Sequence, residues 1–109
     1  MPTLSALKKS DLTRHVGTEI HGLDLLSLSD AGVGELLELL ARRGVVVVRD
    51  QAMSIPEQIA FGARLGELHV HPAYAQSEHP EALHIYGDEN SKMVPGEGWH
   101  SDVSCDERP

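Results

Sequence analysis

Residues 29–51 read SDAGVGELLELLARRGVVVVRDQ, and the change of period inside this stretch decides the fold class. Val33, Leu36, Leu37, Leu40 and Ala41 recur at i, i+3, i+4, i+7 and i+8, the spacing of a helix with one buried stripe. Ser29 or Asp30 caps its start. Arg42 and Arg43 lie in the last turn, where cations suit the helix dipole, and Gly44 ends the helix. Residues 45–49 then drop the helical period without alternating, which predicts a strand buried on both faces. Asp50 and Gln51 read as a turn with an anchoring hydrogen bond.

Outward from this stretch the pattern continues. Residues 18–25 (TEIHGLDL) alternate in part and read as a short strand or extended segment with a glycine bend. Residues 1–16 form a polar, poorly patterned N-terminal segment. On the other side, Ser54-Ile55-Pro56-Glu57 is a capping box with proline in the first turn. It opens a second helix that runs to about Leu65, with Ile55, Ile59 and Ala63 as its stripe and Gly66 as its stop. Residues 67–71, 82–86 (ALHIY) and 99–104 read as strands, and residues 88–98 as a long polar loop rich in turn formers. The order strand, helix, strand, helix, then strands predicts an α+β protein with two N-terminal helices packed on a sheet.

The chain has 109 residues, 40% hydrophobic and 24% charged, which suits one ordinary globular domain and argues against disorder. A formal charge of −8 argues against nucleic acid or an anionic membrane as partner. No apolar run approaches the roughly 20 residues of a membrane span. Lys8 and Lys9 have no apolar stretch behind them, so no signal peptide is read there. Cys105 is the single cysteine, which excludes an internal disulfide and points to a reducing cytoplasm.

Chemistry concentrates in two places. On a strand, His100 and Asp102 would share one face and offer an imidazole and a carboxylate together, two members of a 2-His-1-carboxylate triad that leaves positions on Fe(II) open. Seven histidines and seven aspartates give about 0.45 such pairs by chance, so a surface pair on a strand end is the bland alternative. The second cluster is His69-Val70-His71-Pro72 with Tyr74 behind it. His69 and His71 could chelate a metal, with Glu78 or His79 as further ligands. Otherwise one histidine packs while the other faces solvent, or His71 donates to an anionic substrate. His84 reads as a structural group, and His15 and His21 have no nearby partner.

Four blocks in order, GTEIHGLDL, RRGVVVVRDQ, SIPEQIAFGARLGELHVHPAY and GWHSDVSCDERP, resemble the N-terminal part of the taurine dioxygenase (TauD/TfdA) family of Fe(II)- and 2-oxoglutarate-dependent oxygenases. The resemblance covers residues 17–109 and implies an incomplete double-stranded β-helix, or jelly-roll-like, core. It implies that His100 and Asp102 are two of three iron ligands. His71 and Tyr74 match positions that line the substrate site, the histidine meeting a sulfonate, and the Val103 backbone N–H matches another contact to that anion. Gly96 stands where the family's taurine site carries an asparagine for the substrate amine. An anionic substrate without that amine, such as another sulfonate, an alkyl sulfate or a carboxylate, fits no worse than taurine.

Family members are typically well over twice as long. Their distal histidine and the arginine that pairs with the 2-oxoglutarate carboxylate lie far downstream of the His-x-Asp. The resemblance therefore implies that this chain alone is inactive, and that a homo-oligomer or a complementing chain is a candidate partner. The competing readings are a non-enzymatic module binding Zn(II) or Fe(II) through His69, His71 and His100, and an interaction fragment that pairs through an exposed sheet edge.

Overall fold

The structure, a computed structural model, describes residues 3–74 and 77–108. The chain divides into two units, Met1–Glu67 and Leu68–Pro109. Among the described residues the first unit holds every strand and α-helix: β1 (Lys9–Asp11), β2 (Thr18–Ile20), α1 (Asp30–Arg43), β3 (Val46–Val48) and α2 (Ile55–Leu65).

Helix α1 begins and ends where its sequence places it. The Gly32 N–H donates to the Ser29 hydroxyl at 3.1 Å, and Gly44, at φ +73°, sends its N–H back to the Leu40 carbonyl at 2.8 Å. The buried face is Gly32, Val33, Leu36 and Leu39, turned toward Leu39 from the expected stripe. Leu37 is 41% exposed and Ala41 is also exposed. Four leucines among positions 36–40 allow more than one stripe, and a distant contact chooses between them. The Glu35 carboxylate accepts the backbone N–H groups of Leu4 and Ser5, which seats Leu4 in the core with Ile20, Leu23, Leu28 and the α1 face.

The sheet order is β1-β2-β3. β1 runs antiparallel to β2 with Lys9 opposite Ile20, and β2 runs parallel to β3 with Thr18 opposite Val46. Residues 4–11, which carry no legible pattern, thus supply a 3-10 turn (Leu4–Ala6) and a strand. The valine run differs from expectation too. β3 is an edge strand, so Val46, Val47 and Val48 are half-buried and Val45 is 47% exposed, rather than buried on both faces. Gln51 anchors the following turn. Its amide donates to the carbonyls of Leu23 (2.7 Å) and Arg49 (2.8 Å), and its oxygen accepts the Leu25 N–H at 2.9 Å.

Helix α2 carries the full capping box. The Ser54 hydroxyl accepts the Glu57 N–H and the Glu57 carboxylate accepts the Ser54 N–H at 2.8 Å, which holds the Glu57 carboxyl below its usual range. Phe61 and Leu65 pack on the core. Of the expected stripe, Ile55 and Ala63 are exposed and Ile59 is half-buried.

The second unit corrects three expectations. Residues 67–71, 82–86 and 99–104 are not strands; the regular element described there is the 3-10 turn Pro72–Tyr74. Leu83 and Ile85 alternate with polar neighbours, but no strand pairs with them among the described residues, and both are exposed. Alternation shows a chain able to pair, and pairing needs a second strand. The described strands form a three-stranded sheet with two helices and do not build a double-stranded β-helix. No helix of the described residues is long and apolar enough to cross a membrane.

Arg43 does more than answer the helix dipole. Its guanidinium, with the side chain 16% exposed, donates to the Thr18 hydroxyl (2.9 Å) and to the carbonyls of Thr13 (2.7 Å), Arg14 (3.2 Å) and Gly17 (3.0 Å). The buried Thr18 hydroxyl in turn donates to Asp11 at 2.8 Å. Lysine has no planar fork and cannot reach these acceptors together. Arg43→Lys is expected to lower unfolding stability by about 2 kcal/mol, read from the urea midpoint. An unchanged midpoint would show that the fork holds nothing.

Candidate metal centre

The second unit contains a cleft of about 520 Å³ whose lining includes His71, Gly96, His100, Asp102, Val103 and Cys105. A cleft of about 630 Å³ in the first unit is larger. Its Gln51 is committed to the backbone and its Arg49 pairs with Glu19 at 3.3 Å, so its strongest polar groups already satisfy one another. The candidate residues lie in the second unit.

His100 lies just before, and Asp102 begins, a turn over residues 102–105. The same-face argument for a strand therefore does not apply, yet the two side chains still converge. The His100 Nδ1–H donates to the Gly98 carbonyl at 2.6 Å, and Nε2 stands 3.0 Å from Asp102 Oδ1. Two acceptors this close are held together by a cation between them, either a proton or a metal ion. The Gly98 carbonyl first, and then the Asp102 carboxylate, hold the His100 imidazole above its usual pKa range, because both favour the protonated ring. An imidazole nitrogen and a carboxylate oxygen this close would also be able to hold one metal ion together.

Two backbone features shape this corner. Gly96 has φ +83°, a conformation that strains any L side chain, and a Cβ there would lie in ordinary contact with His100 Cε1 at 3.4 Å. Val103 has φ +51°, which a β-branched residue adopts only under constraint and at a cost of about 1–3 kcal/mol. The turn is closed by the Asp106 N–H donating to the Val103 carbonyl at 3.0 Å.

His71 reaches the same cleft from the other segment of the unit. Its Nδ1 accepts the Ala73 N–H at 3.1 Å, which leaves the ring proton on Nε2, 3.8 Å from Cys105 Sγ. Tyr74 closes the 3-10 turn, and its side chain lies outside the described residues. His69 turns to Asp106 instead, Nε2 to Oδ2 at 2.5 Å. Among the described residues no three His, Cys, Asp or Glu side chains converge on a point that could hold a metal, so His69, His71 and His100 do not form one site. His21 binds the Ser10 hydroxyl at 2.9 Å, and His84 packs edge-on to Tyr86 with ring centroids 6.4 Å apart. The Asp88 carboxylate caps its own loop by accepting the Asn90 N–H at 2.9 Å. Sequence spacing gave no sign of Gly98 as orienter or of the His69–Asp106 pair, since the first is a backbone carbonyl and the second joins residues 37 positions apart.

The family described as the taurine catabolism dioxygenase TauD, TfdA family matches residues 8–109. An alpha-ketoglutarate-dependent sulfonate dioxygenase of Saccharomyces cerevisiae is 35% identical over 115 residues, which take in 94% of this chain and 28% of that protein. The alpha-ketoglutarate-dependent dioxygenase cnsP of Penicillium expansum is 36% identical over 120 residues, 96% of this chain and 32% of the relative. Among solved structures, a taurine dioxygenase from Burkholderia xenovorans superposes with a TM-score of 0.64 at 32% identity, over 91% of this chain and 35% of that one. The chain thus spans about a third of the length of these relatives.

The two cleft imidazoles should be opposite tautomers when neutral. Two-bond ¹⁵N–¹H correlation spectra are expected to place the proton on Nδ1 of His100 and on Nε2 of His71. The same tautomer on both rings would contradict the hydrogen bonds to Gly98 and Ala73.

Proposed function

The chain belongs to the taurine catabolism dioxygenase TauD, TfdA family, and from that premise we propose that it is the metal-bearing N-terminal part of an Fe(II)- and 2-oxoglutarate-dependent dioxygenase. The observation that carries this reading is the His100 Nε2 to Asp102 Oδ1 separation of 3.0 Å, with the far ring nitrogen fixed by Gly98. The donor set suits the ion: an imidazole nitrogen and a carboxylate oxygen are the ligand types of open-sided ferrous sites. The relatives bear the names of alpha-ketoglutarate-dependent dioxygenases. Fe(II) held there supplies oxygen activation coupled to 2-oxoglutarate oxidation.

The chain's own groups position the reactants. The Gly98 carbonyl holds the His100 ring so that Nε2 keeps its lone pair toward the metal position. The His71 Nε2–H is a donor into the cleft and suits one oxygen of an anionic substrate, with the Val103 N–H and Tyr74 as further contacts. Gly96 offers no side chain to a substrate amine. The substrate class is accordingly a small sulfonate, alkyl sulfate or carboxylate, oxidised with O₂. The exposed Cys105 thiol fits a reducing compartment, the cytoplasm. The exposed apolar side chains of Trp99, Met93 and Tyr86 support a second copy or a complementing chain as partner of the second unit.

Two measurements test this reading. Anaerobic Fe(II) titration followed by calorimetry is expected to show binding that Asp102→Ala and His100→Ala each weaken at least tenfold and His84→Ala leaves nearly unchanged. Loss on His69→Ala with retention on Asp102→Ala would replace this site with another. In a 2-oxoglutarate decarboxylation assay, the 109-residue chain alone is expected to show no turnover. Two protein donors would hold the ion weakly, and among the described residues no arginine lines the cleft to pair with the cosubstrate. Robust succinate formation would overturn that expectation.

A further inference from the structure

The turn that presents Asp102 contains a strained residue, Val103 at φ +51°, and such a conformation persists only where its surroundings over-determine it. What surrounds it is Asp106. The Asp106 N–H closes the turn on the Val103 carbonyl at 3.0 Å, and the Asp106 carboxylate takes the Glu107 N–H at 2.7 Å and the ring of His69 at 2.5 Å. His69 stands 37 residues away along the chain, two positions before His71. Among the described residues no backbone hydrogen bond joins residues 68–71 to residues 102–106. The two segments meet through side chains, His69 to Asp106 and His71 to Cys105. The first of these is the shorter and carries charge, and charge-assisted bonds are the stronger kind. The Asp106 carboxyl is held below its usual range chiefly by the His69 bond.

We propose that Asp106 is a positioning residue for the metal-bearing turn and acts through His69. The pair pins the far end of the turn to the 69–71 segment. It keeps Val103 in its left-handed conformation, and it aims Asp102 toward His100 while His71 faces the same cleft. The proposal rests on the reading of His100 and Asp102 as metal donors. Neither His69 nor Asp106 touches the metal position itself.

The test uses the full chain with Mn(II) alone as the probe, followed by paramagnetic broadening of the amide signals of His100 and Asp102. In the wild type both signals are expected to broaden selectively. Asp102→Asn is expected to abolish this. Asp106→Asn and His69→Gln are each expected to raise the Mn(II) concentration needed for half-broadening about tenfold, and the double variant by the same factor rather than a hundredfold. Asp106→Glu, which restores a carboxylate to His69, is expected to recover most of the loss, which a collapsed second unit would not do. Unchanged signals from residues 18–48 confirm that the first unit stays folded in each variant. Wild-type broadening in Asp106→Asn, with none in Asp102→Asn, overturns the positioning role alone. Equal behaviour of the wild type and Asp102→Asn overturns the metal reading beneath it. Multiplicative losses in the double variant overturn the pairing.

Discussion

The first unit hangs on one guanidinium. Arg43 is the last residue of α1, and its fork ties that helix end to three carbonyls of the 13–17 connection and to the buried Thr18 hydroxyl. These bonds set the register of β2 against the helix, since Thr18 begins that strand. β3 follows within three residues of Arg43 and pairs with β2 from the same end. A largely covered guanidinium favours having its donors met, so drift of the connection before β2 would cost these bonds. Salt-bridge attraction adds little, because the Asp11 partner is mostly exposed and 3.5 Å away.

The second unit is held by different means. It has no sheet among the described residues, and its order comes from side chains that close turns: Asp88 on its own loop, Asp106 on His69, His100 on Gly98. Such a region suits the proposed metal pair. Its donors are exposed, open to an incoming ion and to a substrate, and the backbone strain at Val103 is the kind that gathers at functional sites. The cost is that the site's geometry rests on a handful of polar contacts rather than on a packed core.

How much of this was legible in the sequence depends on the range of the interaction that decided each feature. The Ser29 cap, the Gly44 stop and the Ser54–Glu57 box are set within four residues, and all three stand as read. The face of α1 is not legible locally, because Leu4 and Glu35, 31 positions apart, choose among four leucines. β1 was missed because three residues show no period. ALHIY alternates as a strand should, but alternation does not supply a partner. The His100–Asp102 pair is legible as a motif while its geometry is not: a turn, not a strand, brings the two side chains together. Family membership, read from four ordered blocks, is shown by the match over residues 8–109.

The claim on which the functional account turns is that one imidazole and one carboxylate grip the same ion. The most direct measurement is an anomalous difference map from crystals grown anaerobically with Fe(II). The expected result is a single strong peak within about 2.2 Å of both His100 Nε2 and Asp102 Oδ1. A peak bound by His69 or His71, with Asp102 left outside its coordination, would contradict the account.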